Sequence, residues 1–181
     1  MEVSNGLLVA LMFVGLLTIG IGNIIMSLAS MVDRRSSIKA SRLHLTWIVL
    51  LFLIYLGFFW HTLDVLSVEN WEFFAFLYII LGPILMIFAS QVMLPSPSDD
   101  DSDDLHEVYF GVSRPFFFFL AATQVWVNGV DLILKDGLTP AGGWNGVVAV
   151  VALILAFSRN LKIHWALTVL MWLFFLVKWL L

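Results

Sequence analysis

The sequence predicts an all-α integral membrane protein: a single transmembrane domain over residues 1–181, folded as a compact bundle of six transmembrane helices. Three observations predict it. Hydrophobic residues make up 61% of the chain and charged residues 12%, with a mean hydropathy of +1.00, whereas soluble domains run at about 45–50% and 25%. The apolar residues fall into six stretches, at about 6–31, 43–68, 71–94, 110–134, 140–157 and 163–181. Basic residues gather in alternate breaks between them. Barrel strands are about 10 residues of alternating polarity, and these stretches are longer and uniformly apolar. A helix pairs its own backbone groups in lipid and crosses the hydrocarbon in about 20 residues.

The first stretch, 6–31, exceeds the roughly 7–15 residues of a signal-peptide core. It also lacks a basic start or a small-x-small cleavage site, so it is expected to stay as a helix. Gly15, Gly20 and Gly22 mark it for close packing. The second, 43–68, opens on Arg42-Leu43-His44 and ends near Trp60, His61 and Asp64. The third, 71–94, has Asn70 as a cap, Glu72 as a first-turn acid that suits the helix dipole, and Gly82-Pro83 as an expected kink. The fourth, 110–134, carries Arg114 near its start. The fifth, 140–157, is the shortest. It starts on Thr139-Pro140, a cap followed by a first-turn proline, and its Gly142/Gly146 and Ala152/Ala156 pairs predict tight packing. The sixth, 163–181, opens on Lys162-Ile163-His164, echoing the second.

Arg34, Arg35, Lys39 and Arg42, then Arg114, then Arg159 and Lys162 lie at one end of the bundle, against Lys135 and Lys178 at the other. Basic loops stay cytoplasmic, so both termini are expected on the non-cytoplasmic side. The linker 96–108, with its acidic run Asp99–Asp104, is then cytoplasmic. It reads as a solvated linker, or as a docking site for a basic partner or weakly bound cation. An EF-hand is excluded because the central Gly and closing Glu are missing. The absence of cysteine removes disulfides and thiolate sites. Expected partners are membrane lipids, a second copy or another membrane protein; no nucleic acid and no cofactor are expected.

The residues His44-Leu-Thr-Trp47, Phe59-Trp60, Trp71-x-Phe73, Gly82-Pro83-Ile84-Leu85, Leu94-Pro95, Tyr109-Phe110 and Arg114-x-Phe116-Phe117 occur in that order, with the acidic linker before Tyr109. Over roughly residues 6–165 this pattern resembles a family of small polytopic bacterial membrane proteins. The resemblance implies a bacterial inner membrane and carries over no activity and no functional residue.

Ionisable groups inside a span are functional candidates because hydrocarbon penalises them. His61 and Asp64, three apart, share a helix face, as do Asn128 and Asp131. With Glu72 nearby, they predict an outward-facing polar pocket if the second and fourth helices meet. Such a pocket could relay protons or hold a divalent metal; alternatively, the acids simply reach surface water. Gln124, Gln91, Tyr78 and Asn23 lie deeper, as a polar path or as interhelical hydrogen bonds. Arg42, His44, Arg114, Arg159, Lys162 and His164 are expected to hold lipid headgroups or the linker, with a bis-histidine haem on His44 and His164 as the sharper alternative. No P-loop, HExxH or GxSxG is present, so an enzyme is the least supported class. The expected function is a channel, transporter or sensor for a proton, ion or small solute; the alternative is an accessory or scaffold subunit.

Overall fold

A computed structural model describes residues 5–33, 41–60, 62–66, 68, 71–94, 105–134 and 140–180. Among them the chain forms α1 (Asn5–Asp33), α2 (Arg42–Trp60), α3 (Thr62–Leu66), α4 (Phe73–Met93), α5 (Leu105–Leu134), α6 (Pro140–Phe157) and α7 (Leu161–Leu180), with no strand. Four segments are long and apolar enough to cross a membrane: Asn5–Ala29, Arg42–Leu66, Phe73–Met93 and Glu107–Ile133. The apolar parts of α6 and α7, Gly143–Phe157 and Leu161–Val177, are shorter.

Helix ends follow local chemistry. Ser41 caps α2, its hydroxyl accepting the His44 N–H at 3.1 Å, the Ncap-to-N3 geometry that satisfies a donor left over at a helix start. Asn160 caps α7 in the same way, accepting the Lys162 N–H at 3.0 Å. α4 starts at Phe73 with Glu72 at the cap position, extended at φ −78° and ψ 147° and making no side-chain capping bond. The expected caps Asn70 and Thr139 lie outside the described residues. At the other end of α4, Leu94 is extended at ψ 133°, as its position before Pro95 favours.

One boundary differs from expectation. The second stretch is described as α2 and, beyond residue 61, the short α3, which lies beside α1; a side chain at Gly6 would sit 2.6 Å from the Val68 carbonyl oxygen. α5 is already helical at Leu105, within the expected linker. Glu107 in its first turn complements the helix dipole, and the buried Tyr109 gives this polar segment a tertiary anchor.

The helices pack in a chain of neighbours: α4 lies against α1 and α5, α5 against α4 and α6, and α7 more sparsely against α6 and α2. The tightest lock joins α4 to α5. Pro83 brings no N–H to the interior of α4, leaving the Ile79 carbonyl without its helical donor. One residue earlier, the Tyr78 carbonyl accepts the Trp126 indole N–H at 2.6 Å. The Tyr78 hydroxyl returns a bond to the Trp126 carbonyl at 3.2 Å. Gly82 lies under the Trp126 indole and Gly129 under the Tyr78 ring, while Phe13 and Phe58 flank Trp126 at 6.5 and 5.7 Å between ring centroids.

The glycine spacing expected to pack α6 does not do so. Gly146 has nothing within 4 Å of where a Cβ would stand, and neither do Gly15 and Gly22 of α1. The buried seam of α6 includes the expected pair Ala152 and Ala156, together with Ala149 and Asn145. Of Gly15, Gly20 and Gly22, Gly20 makes a close approach, to the buried Tyr55 ring.

Candidate functional site

The two ends of the bundle are built differently. At the end bearing Arg42, Arg114, Arg159 and Lys162, the interior is closed by a polar and aromatic network. The His44 Nε2–H donates to the Met93 carbonyl at 2.6 Å, tying the start of α2 to the end of α4. His164 Nε2 lies 3.0 Å from the Ser158 carbonyl, which can only accept. The neutral ring therefore carries its proton on Nε2, and Nδ1 accepts the Tyr109 hydroxyl at 2.8 Å. The Trp47 indole N–H donates to the Thr168 hydroxyl at 2.9 Å, and Thr168 donates to the His164 carbonyl at 2.7 Å. Rings of Tyr109, Phe110 and Phe117 surround His164 at 5.4, 5.0 and 5.8 Å.

The expectation of headgroup contacts does not hold for two residues: His44 and His164 are 2% and 0% exposed, so their rings face the protein interior. Both ring nitrogens of His164 are occupied by protein, which leaves none for haem iron. Arg42, Arg114, Arg159 and Lys162 are exposed, as expected of headgroup contacts. The Arg114 guanidinium stands 5.5 Å from the Phe157 ring and 6.0 Å from Phe118, an arrangement stabilised by cation–π attraction. The acidic run Asp99–Asp104 lies outside the described residues.

At the opposite end the helices part around a cavity of about 360 Å³. Its walls come from the later half of α2 (Leu50, Ile54, Gly57, Phe58), the later half of α5 (Gln124, Val127), the start of α6 (Trp144, Asn145, Val148) and α7 from Met171 to Val177. α7 is pinned to the bundle at His164 and Thr168 and lines the cavity further along. Among the described residues the lining is apolar except for two amides. Asn145, 5% exposed, donates from Nδ2 to Asn128 Oδ1 at 3.2 Å. Gln124 is half-buried and takes part in none of the hydrogen bonds among the described residues.

The residues of the expected outer pocket lie on several elements. Asp64 is exposed on α3, whose main neighbour is α1; Asp131 is buried on α5, whose main neighbours are α6 and α4. Asn128 is paired with Asn145 of α6. Glu72 is exposed, and His61 lies outside the described residues. Among the described residues no three His, Asp or Glu side chains converge on a possible metal site. Of the expected path, Tyr78 is engaged with Trp126, Gln91 is exposed and Asn23 is half-buried; Gln124 alone among them faces the cavity. Asn145 was not singled out by the sequence, although a lone amide between apolar turns of a helix is the signal that would have found it. No protein-family model, curated protein or solved structure matches the chain.

Proposed function

We propose that this chain is a six-span protein of a bacterial inner membrane, with both termini outside, that admits a small solute between α2, α5, α6 and α7. The orientation rests on the exposed Arg42, Arg114, Arg159 and Lys162 at one end and on the preference of such residues for the cytoplasmic side. The solute site is the cavity at the other end. One observation carries the reading: a cavity of about 360 Å³, within the range of small-molecule sites, holds two amides in an otherwise apolar wall. Genuinely empty protein cavities are apolar, and an amide turned to hydrocarbon without a partner costs several kcal/mol.

The test is a solute screen on purified protein by thermal unfolding, with Val148→Trp as the cavity-filling variant. A bound solute stabilises the wild type in proportion to the logarithm of its concentration. Solutes that raise the wild-type melting temperature and leave Val148→Trp unmoved support the site. A screen in which every solute acts equally on both proteins sinks it. The accessory-subunit reading draws on the sparse packing of α7; a stoichiometric membrane partner that protects α7 on co-purification would favour it.

A further inference from the structure

We infer that the cavity takes a neutral, single-chain amphipath whose hydrogen-bonding head is read by Gln124 and Asn145, with a monoacylglycerol or long-chain alcohol as the ligand class. The inference rests on the solute-binding reading above and specifies its ligand.

Three observations select this class. First, none of the described residues that line the cavity is charged. A carboxylate or ammonium head would enter a low-dielectric site with no counter-ion, which is strongly unfavourable. Second, the amides offer both signs of hydrogen bond. Asn145 spends one Nδ2 proton on Asn128, leaving its Oδ1 to accept; Gln124 has donors and an acceptor to give. A hydroxyl, which donates and accepts, answers both, whereas a hydrocarbon answers neither. Third, the size and shape suit a chain. A cavity of about 150 Å³ holds benzene, so about 360 Å³ accommodates roughly 12–15 non-hydrogen atoms on that scale. The amides sit on α5 and α6, while the α2 and α7 walls (Ile54, Phe58, Leu173, Phe175) are hydrocarbon. The head therefore lies against α5–α6 and the tail against α2 and α7.

The experiment is photo-crosslinking of the whole protein in lipid nanodiscs. The probe is a primary alcohol whose chain of about 12 carbons carries a diazirine, roughly 15 non-hydrogen atoms in all and so matched to the cavity volume. Labelling is expected on α2 and on α7 between Met171 and Val177. Unlabelled monoacylglycerol or alcohol of equal length should compete, whereas the matching alkane and fatty acid should not. Gln124→Leu breaks no protein hydrogen bond and should weaken labelling about threefold, the equivalent of one intramembrane hydrogen bond of about 0.6 kcal/mol. Adding Asn145→Leu should bring the loss close to tenfold. If Val148→Trp removes labelling while alkane or fatty acid competes as well as the alcohol, or while Gln124→Leu labels normally, the ligand class is wrong and the solute site survives. If Val148→Trp labels like wild type, or crosslinks join two copies of the chain across α7, both readings fall.

Discussion

Gly82→Ala tests the α4–α5 lock most directly. A Cβ at Gly82 collides with the Trp126 indole. That ring is 5% exposed and boxed by Phe13, Phe58 and Tyr78, so it has little room to retreat. Overpacking of this kind costs about 1–3 kcal/mol. Moving the indole also endangers its 2.6 Å bond to the Tyr78 carbonyl, worth about 0.6 kcal/mol inside a membrane. Alanine returns up to about 1 kcal/mol of helix propensity. The expected net loss is about 1–2.5 kcal/mol on those figures. Gly129→Ala should cost less, because it strikes the hydroxyl end of the half-buried Tyr78, which can swing aside. Gly146→Ala and Gly143→Ala meet open space and should keep only the propensity gain, stabilising by about 0.5–1 kcal/mol. Equilibrium unfolding in mixed micelles, followed by tryptophan fluorescence, measures all four. The reasoning fails if Gly82→Ala is as stable as wild type, or if Gly146→Ala loses as much as Gly82→Ala.

Further outcomes are expected from the basic end. Tyr109→Phe strands the Nδ1 acceptor of the buried His164 and should destabilise by about 1–3 kcal/mol, read by thermal unfolding in detergent. Trp47→Phe and Thr168→Val remove one shared hydrogen bond, so a double-mutant cycle should give a coupling of about 0.6 kcal/mol and no more than about 1.7. Arg114→Gln should lose about 0.5–1 kcal/mol of attraction to Phe157 and Phe118, whereas Arg114→Lys should keep part of it. For orientation, an alkaline-phosphatase reporter placed after Leu181 should be active and a cytoplasm-dependent fluorescent one dark. The opposite pattern would invert the topology.

Most of the helices could be read from the sequence because hydrocarbon leaves a coarse mark. A run of apolar residues needs no tertiary partner to declare itself, and Leu94-Pro95 stops α4 by local sterics alone. The details that depend on neighbours were not legible. The first residues of α5 are polar and looked like linker; Tyr109 anchors them only because His164, 55 residues away, faces it. His44 and His164 stand beside basic loops in sequence yet turn inward, a direction that helical phase alone did not settle. Of the two small-residue pairs marked for packing in α6, Ala152 and Ala156 turn inward, whereas Gly146 meets open space, a difference of helical phase that spacing alone did not settle. Of the expected site residues, Gln124 faces the cavity and Asn128 supports it through Asn145, since polar groups in an apolar helix are conspicuous. Asp64 and Asp131 were equally conspicuous, yet one is exposed and the other buried, a difference that composition does not encode.

The attachment of α7 bears on the order in which the cavity comes into being. This helix follows α1 to α6 in the chain, and it supplies one whole wall of the cavity. Until its first two turns find Tyr109 and Trp47, the pocket is an open trough facing the lipid. Docking at one end and enclosing at the other are thus a single step of assembly.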